Sequence, residues 1–534
     1  MKNNDVDLTE TFNIDFEPLG RRGKARFGQT LLAAAQDAGV GLASVCGGAG
    51  TCEQCRVRLA AGKLSPPTLI EQAALSVTDL SAGFRLACQA EPVSDVKLDI
   101  PPESLTSAQR LQVEGLEVHL LPEPVIRTPG AFGLAVDIGT TKLAAYLIEL
   151  DTGLTKASSG AMNPQIAFGE DVISRIAFAG SEPGGARKLH EVLVESLNKM
   201  LTDMCLEAGV STGSVMDAVL VGNTAMHHLV ASLPVEQLGR APFSPAITSA
   251  MSIPAVDLGL ELGAGVNVYL PPIIAGYVGA DHIAMLLATD AWNSPHRVIA
   301  MDIGTNTEIS LIAGGKITSC SCASGPAFEG AHIREGMRAA PGAIERARWS
   351  KGKILWQSIE NQPPVGICGS GILDLVAALQ DGGRIKPTGV LINGTEAKVV
   401  IVPAAQTGLN RDLVVTRGDI HEIQLAKSAI RVGVEILLKN AGLKFTDIDE
   451  FIVAGAFGTY LDLRSAVRIG MFPPLRLDKF HQVGNAAGVG AKQMLVSVEK
   501  RQEAESLAKH IDYLELTSQP EFAPLYMKNL CFEN

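Results

Sequence analysis

Four cysteines near the start of the chain have a spacing that could support metal or redox chemistry. They are Cys46, Cys52, Cys55 and Cys88. The first three lie in the stretch SVCGGAGTCEQC (44–55), and the fourth comes from a separate segment. Three thiolates on one loop and one from outside it suit a [2Fe–2S] cluster, which takes four cysteine ligands. Glycines 47, 48 and 50 lack a Cβ, so the loop can curl tightly and turn N–H groups toward the sulfurs.

Two other uses of these cysteines must be weighed against the cluster. Structural zinc sites usually take their thiolates from two CxxC pairs, whereas this segment holds only one. A thioredoxin-like dithiol at Cys52 and Cys55 needs a helix directly after the pair, but residues 56–59 favour a strand. The spacing therefore favours the cluster, with zinc as the alternative.

A second pattern that could do chemistry occurs twice, as DIGTT (137–141) and DIGTN (302–306). Each copy lies between two apolar segments that predict strands, so each is predicted to be a hairpin turn. Gly and Thr supply N–H and hydroxyl donors for phosphate oxygens, and an Asp at the strand end can hold Mg²⁺. Lys142 adds a positive charge that could meet a phosphate. A lone D-x-G-T turn is commonly only structural, so it is the presence of two copies that indicates a phosphate-binding site.

The segments around these turns also repeat, and they predict the elements that position them. Residues 132–153 and 298–318 share the order strand, turn, strand, and residues 216–229 and 448–461 form a second similar pair. Two features that recur in the same order indicate a duplicated βββαβα unit. We therefore expect two related halves that face each other.

The chain divides into three regions. Residues 1–98 predict a small α+β domain, with a helix over 30–38 and strands near 8–15, 24–27, 56–59 and 84–90. Residues 99–130 contain five prolines and predict an extended connector. Strand and helix signals then alternate through a layered α/β domain at 131–534, with halves at about 131–296 and 297–500 and a C-terminal extension.

Composition excludes several classes of protein. The 534 residues carry a formal charge of −12 and no basic stripe with interleaved aromatic residues, so nucleic acid is not an expected partner. The most apolar stretch, 268–280, is too short to span a bilayer, so no membrane association is expected. Nine cysteines, an odd number, argue against a disulfide scaffold. These observations predict a soluble, cytoplasmic protein.

Residues 6–98 resemble the β-grasp ferredoxins. The C-x5-C-x2-C spacing is similar to the variant found in adrenodoxin-like and some bacterial ferredoxins. The resemblance implies one-electron transfer by a [2Fe–2S] cluster, with iron ligands Cys46, Cys52, Cys55 and Cys88.

The paired turns resemble those of the actin–chaperone–sugar-kinase superfamily (ASKHA), where two such turns hold the phosphates of ATP in a cleft. The resemblance implies ATP and Mg²⁺ as ligands. Its first phosphate loop would contain Asp137, Gly139, Thr140, Thr141 and Lys142, and its second Asp302, Gly304, Thr305, Asn306 and Thr307. The adenosine would lie on Gly455, Ala456, Phe457 and Gly458, which follow a strand. Asp171 and Glu308 would position the attacking water, unless they are a helix cap and a strand carboxylate.

The whole chain resembles the reductive activators of corrinoid proteins. The resemblance includes the segments NPQIAFGEDVISRI, VGNTAMHHL, LPPIIAGYVGAD, ASGPAFEGA, CGSGILDL and VAGAFG. It implies an ATP-dependent one-electron reduction of Co(II) to Co(I) on a corrinoid protein of a methyltransferase system. A low-potential electron donor would supply the cluster. A homodimer is also implied, although residues 99–131 leave no room for the small domain that longer members carry there.

Two rival functions remain open from the sequence, and a third is disfavoured. A kinase with a regulatory cluster would need a pocket for a phosphoryl acceptor. An ATP-gated scaffold would transfer no electron. An activator of a radical dehydratase would share a [4Fe–4S] cluster across a dimer, and residues 131–534 contain no suitable cysteine pair for it.

Overall fold

The structure is a computed structural model that describes most of the chain. The described residues are 11–17, 21–38, 40, 42, 44, 46, 48–101, 104, 122–126, 128–169, 171–392 and 397–532. Gly47, the first residues of the predicted strand at 8–15 and most of the predicted connector at 99–130 lie outside them.

In the described residues, the first domain is a five-stranded sheet with three short helices. Its strands are Thr11–Glu17 (β1), Arg21–Arg26 (β2), Arg56–Ala61 (β3), Phe84–Leu86 (β4) and Val96–Asp99 (β5), and its helices are Leu31–Asp37 (α1), Leu69–Ala74 (α2) and Val77–Ser81 (α3). The order of these described strands is β2-β1-β5-β3-β4, with β1 and β5 parallel. Thr30 caps α1, and Leu31 is buried against Ile14 and Phe16 of β1. This arrangement is the β-grasp fold that the sequence predicted.

The strand predicted at residues 84–90 is too long. It ends at Leu86, because the Leu86 carbonyl accepts hydrogen bonds from the backbone N–H groups of Gln89 and Ala90. Cys88 therefore lies in a tight turn after β4 rather than on a strand.

The second domain begins with a mixed sheet. Its strands are Phe132–Ile138 (β6), Lys142–Glu149 (β7), Thr155–Met162 (β8), Val215–Gly222 (β9), Met251–Pro254 (β10) and Asn267–Leu270 (β11). Its helices are Val172–Ser181 (α4), Gly185–Ala208 (α5), Thr224–Val230 (α6), Ala255–Leu258 (α7) and Ala280–Ala288 (α8). Leu189, Leu193 and Leu197 of α5 are buried against this sheet, which is what its amphipathic pattern requires.

A second half follows. Its strands are Val298–Ile303 (β12), Thr307–Ala313 (β13), Lys316–Cys322 (β14), Ala343–Ser350 (β15), Lys353–Ser358 (β16), Gly366–Ile367 (β17), Lys398–Val402 (β18), Leu413–Thr416 (β19), Glu450–Ala454 (β20), Phe480–Gly484 (β21) and Ile511–Tyr513 (β22). Its helices are Gly369–Asp381 (α9), Arg417–Asn440 (α10), Ala456–Tyr460 (α11), Leu463–Arg468 (α12), Ala486–Val496 (α13), Val498–His510 (α14) and Phe522–Asn529 (α15).

The two halves have the same topology. Among the described strands, the order β11-β9-β6-β7-β8 in the first half corresponds to β21-β20-β12-β13-β14 in the second. In each half the first two strands form a hairpin around a D-I-G-T turn, and the first strand also pairs in parallel with a later strand. The predicted duplication is therefore present in the fold. Strands β15–β19 and α9 are an insertion in the second half.

Helices α8 and α13 pack against each other where the halves meet. A Cβ on Gly490 of α13 would lie 2.0 Å from the carbonyl oxygen of Ala284 in α8, so only glycine permits this approach. Nearby, His282 Nε2 lies 2.6 Å from the hydroxyl of Ser310 on β13. The described end of the connector also reaches this junction, where Glu123 pairs with the backbone around Ser497.

No helix in the described part of the chain is both long and apolar enough to cross a lipid bilayer.

Replacing Gly490 with Ala is expected to lower the free energy of unfolding by about 1–3 kcal/mol, because the added methyl group overlaps the α8 backbone. Denaturant unfolding of the purified protein measures this change. Gly418→Ala is the matched control, since Gly418 is an exposed residue of α10 with no atom closer than 3.5 Å to the added Cβ. Equal stability changes for the two variants would contradict the close packing of α8 on α13.

Candidate cluster and nucleotide sites

The four predicted cluster cysteines meet at one end of the β-grasp sheet. Cys46 lies in the loop after α1, and Cys52 and Cys55 directly precede β3. Because β3 pairs with β4, the Cys55 carbonyl accepts a hydrogen bond from Ala87 N–H, and Cys88 follows at once. Cys52, Cys55 and Cys88 are buried, whereas Cys46 is partly exposed.

The sulfurs contact one another in a way that fits a shared cluster. Cys46 Sγ and Cys52 Sγ lie 3.3 Å apart. Hydrogen bonds from Cys52 and then Cys88 lower the pKa of the Cys46 thiol, and a hydrogen bond from Cys88 lowers the pKa of Cys55. All four are free thiols. Four converging cysteine sulfurs form a donor set that suits iron.

The backbone of the loop curls around these sulfurs as the glycines require. Gly48 and Gly50 have φ angles of 92° and 71°, in the left-handed region. A Cβ on Gly50 would lie 2.5 Å from the Ile70 side chain. Gln89, which follows Cys88, donates to the Gly48 carbonyl at 3.0 Å and so ties the loop to the fourth cysteine.

In the second domain, the first D-I-G-T turn is held by three side chains from three different elements. Asn163 donates to the Gly139 carbonyl at 2.9 Å, and Asn223 donates to the Thr140 hydroxyl at 2.9 Å. Arg175, which is completely buried, donates to the Thr140 carbonyl at 2.5 Å. Contacts within the protein therefore hold the backbone of this turn in its observed shape.

The second turn is held differently. The Ser324 hydroxyl lies within hydrogen-bonding distance of the Gly304 carbonyl, at 3.1 Å, and of the Thr307 hydroxyl, at 2.8 Å. Thr305 donates to Glu329 at 2.8 Å. Thr307 exposes none of its surface, so its predicted contact with phosphate stays a prediction. Thr305 is also buried. The predicted members of the two turns that are at least partly exposed are Asp137, Gly139, Thr140, Thr141, Lys142, Asp302, Gly304 and Asn306.

Four carboxylates converge between the halves; we refer to them as the cleft carboxylates, Asp137, Asp281, Asp302 and Glu308. Burial raises the pKa of Asp137 to about 6, against a hydrogen bond from Asn485 at the start of α13. Burial, then the charge of Asp137, raises the pKa of Asp281 to about 7. The pKa values of Asp302 and Glu308 are raised mainly by burial and further by Asp281. Such a group favours a bound cation.

Asp171, a predicted water-positioning residue, caps α4. Its carboxylate accepts the N–H of Ser174 at 2.7 Å, and its own N–H donates to the Ser174 hydroxyl. The contacts of Asp171 in this structure are therefore those of a helix cap. Glu308 is the candidate that lies beside the other cleft carboxylates.

The predicted adenosine segment begins against the second turn. Gly455 has a φ of 89°, and a Cβ there would lie 2.5 Å from Asp302 Oδ1. Ala456 starts α11, and the Gly458 carbonyl accepts a hydrogen bond from Gln482. Phe457 stacks on Phe328 with ring centroids 4.5 Å apart. Adenosine binding by this segment stays a prediction.

Sequence reasoning missed the residues that hold the two turns, together with one cleft carboxylate. They are Asn163, Arg175, Asn223, Asp281, Ser324 and Glu329. All of them fall inside segments that carry the family resemblance, but no local pattern indicates that they point at a turn far away in the sequence. The signal that several of them offer is that they are polar residues at or near the ends of helices and strands, as Asn163 and Asn223 are.

Taken together, the fold and the two sites define a class: a ferredoxin-type domain joined to an ASKHA-type domain. Three family descriptions match in the same order. Residues 16–93 match the 2Fe-2S iron-sulfur cluster binding domain, residues 132–293 the RACo middle region, and residues 296–534 the C-terminal domain of RACo, the ASKHA domain.

Relatives that match three quarters of the chain identify the family. The chain is 35% identical over 418 residues to the corrinoid activation enzyme RamQ of Eubacterium limosum, covering 75% of this chain and 70% of the relative. It is 27% identical over 434 residues to the [Co(II) methylated amine-specific corrinoid protein] reductase of Methanosarcina barkeri, covering 75% and 77%. A solved structure titled reductive activator for corrinoid,iron-sulfur protein aligns over 98% of each chain with a TM-score of 0.71 and 30% identity. The chain belongs to the family of corrinoid-activating reductases.

Replacing Cys52 or Cys88 with Ser is expected to abolish or strongly shift the visible absorbance of the iron–sulfur protein, because each variant removes one of the four converging sulfurs. Iron and sulfide analysis of the purified protein gives a second measurement. Cys531→Ser is the control, since that thiol is exposed near the end of the chain. Full iron content and an unchanged spectrum in Cys52→Ser would exclude it as a ligand.

Proposed function

We propose that this protein uses ATP to drive the one-electron reduction of Co(II) to Co(I) on a corrinoid protein of a methyltransferase system. The observation that carries the proposal is the presence in one chain of four converging thiols and a two-turn cleft lined by carboxylates. The names of two relatives and of one similar structure support the same reaction class.

The reaction needs an energy source for a physical reason. A Co(I) corrinoid is a strong reductant, so electron transfer to Co(II) runs uphill from an ordinary ferredoxin. For one electron, about 59 mV corresponds to about 1.4 kcal/mol, so even a small gap in potential needs coupling. ATP binding that favours one arrangement of the two halves supplies that coupling if the corrinoid protein binds one arrangement better.

The chain contributes the ligands for the cluster. Cys46, Cys52, Cys55 and Cys88 would hold a [2Fe–2S] cluster, which supplies one-electron transfer when bound. A low-potential protein or small-molecule donor would deliver the electron. Burial of three of these sulfurs keeps water from the site, while Cys46 is the most accessible of the four.

The paired turns would hold the phosphates of ATP. Lys142 is exposed at the start of β7 and supplies a positive charge beside the first turn. Arg175 and Ser324 hold the two turns in shape, so their N–H groups are arranged in advance. Binding then costs little reorganisation of the protein.

Magnesium would offset the charge of the cleft carboxylates. Within the described residues, no three of the His, Cys, Asp and Glu side chains are arranged as direct ligands of one ion. We therefore infer that Asp137 and Asp302 bind Mg²⁺ through one carboxylate or through water, with nucleotide phosphates completing the shell, as this ion commonly prefers. Glu308, rather than Asp171, is our candidate for positioning the attacking water.

We also propose a location and an assembly for this protein. The location is the cytoplasm, and the assembly is a homodimer.

The reaction itself is tested with reduced protein and a Co(II) corrinoid protein encoded beside its gene. Addition of MgATP is expected to convert Co(II) to Co(I), because ATP supplies the missing free energy. The visible spectrum of the corrinoid measures this conversion. Omission of ATP is the control. Equal conversion without ATP would overturn the coupling, and ATP-dependent phosphorylation of a small acceptor instead would favour the kinase alternative.

Asp302→Asn is expected to lower the ATP-dependent rate of Co(I) formation about tenfold or more, because it removes a charged group at the end of β12 where the nucleotide would bind. The cluster absorbance should be unchanged. Asp512→Asn, an exposed carboxylate of the same half, is the matched control. A normal ATP-dependent rate in Asp302→Asn would remove this residue from the nucleotide site.

A further inference from the structure

The peptide between the cluster cysteines makes a specific contact with the second half of the ASKHA-type domain. Glu53 lies between Cys52 and Cys55 and has a φ of 55°, in the left-handed region that non-glycine residues rarely adopt. Its side chain is only 18% exposed, although it is a glutamate on a loop. A carboxylate in that position needs charged partners.

Two arginines from different elements supply them. Arg348 of β15 donates to the Cys52 carbonyl at 2.5 Å and to Glu53 Oε1 at 3.3 Å. Arg464, in the first turn of α12, donates to Glu53 Oε2. The Ser44 N–H also donates to Gln357 of β16 at 2.9 Å. The loop that carries the cluster ligands is thus held at both ends by the second half.

Contacts within the ASKHA-type domain hold the segments that carry the two arginines. Asp374 of α9 is 1% exposed and accepts the N–H of Ala347, the neighbour of Arg348, at 3.1 Å. Asp462 caps α12 and accepts the Arg464 N–H at 2.7 Å. Both contacts lie entirely within the ASKHA-type domain.

Contacts also run from this receiving site to the second D-I-G-T turn. Helix α12 directly follows α11, whose Phe457 stacks on Phe328. The next residue, Glu329, accepts the Thr305 hydroxyl. Arg464 is therefore carried by a helix that is linked, through α11 and Phe328, to the second D-I-G-T turn.

We propose that Glu53, Arg348 and Arg464 form a docking clamp, which holds the ferredoxin-type domain on the second half and favours the reduced cluster. This proposal rests on the proposed function, because it assumes that the four thiols hold a [2Fe–2S] cluster. Reduction by a one-electron donor adds one negative charge to the loop, and two guanidinium groups stabilise that charge. By linkage, reduction tightens the clamp, and the clamp raises the reduction potential of the docked cluster.

The clamp gives the two domain positions different roles. In the docked position the arginines favour retention of the electron. Once the loop is released, that stabilisation is lost and the protein becomes a stronger reductant, as a Co(II) acceptor requires. Arg348 and Arg464 are positioning residues in this reaction, since they act through the loop and not on the acceptor.

Hydrogen exchange and redox titration of the holoprotein, without nucleotide or corrinoid protein, test the clamp. In the parent protein the Ser44 amide is expected to exchange more slowly after reduction with dithionite. Arg464→Gln should speed exchange of this amide about tenfold or more, shrink the difference between redox states, and lower the reduction potential. Arg476→Gln is the matched control, because Arg476 is 71% exposed and pairs with Asp478. This substitution removes an equal charge from a residue that does not pair with Glu53.

A second variant separates the clamp from general charge effects. Glu53→Gln removes the shared partner of both arginines, so the double variant with Arg464→Gln should exchange no faster at Ser44 than Glu53→Gln alone. Equal changes of potential in Arg464→Gln and Arg476→Gln, additive exchange effects in the double variant, or exchange independent of redox state would each overturn the clamp. None of these outcomes bears on corrinoid reduction, and failure of corrinoid reduction would leave these measurements intact.

Discussion

The charge of the cleft carboxylates is the constraint that the arrangement of the two halves must satisfy. Asp137 and Asp281 belong to the first half, and Asp302 and Glu308 to the second, so the junction of the halves brings like charges together, which favours their protonated forms. Only a cation or added protons offset that charge. The proposed magnesium–nucleotide complex would offset that charge, and the α8–α13 contact at Gly490 lies where the same two halves meet.

The duplicated turns have kept their backbone while their supports have diverged. In the first half, two amides and a buried guanidinium hold the turn at Gly139 and Thr140. In the second half, the Ser324 hydroxyl and the Glu329 carboxylate do so. One turn is thus backed by positive charge and the other by negative charge. The second turn is connected, through Glu329, Phe328 and Phe457, to the surface that receives the cluster loop. The two halves therefore share a turn and differ in what surrounds it.

Local patterns predicted the parts of this molecule that depend on neighbouring residues. Cysteine spacing indicated the cluster loop, and the repeated D-I-G-T segments indicated both hairpins, because turn chemistry and strand alternation are properties of short segments. Cys88 was placed wrongly on a strand, since a tight turn closed by the Leu86 carbonyl has no strong residue signature in LACQA. Asp281 and Arg464 could not be predicted at all. Arg464 reaches Glu53 across 411 residues, and Asp281 comes close to Asp137 from more than a hundred residues away, so only the assembled fold defines which side chains meet.

The wide separation of the clamp residues along the chain sets an order of events during synthesis. Arg348 is made about 260 residues after Cys88, and Arg464 later still. At about 5–20 residues per second, the four cysteines emerge roughly 13–50 s before either arginine. During that interval the ferredoxin-type domain, which carries its own apolar core, has no receiving site to cover its loop. Docking cannot cover the loop until both arginines have been made, so this interval leaves the four cysteines open for insertion of a cluster.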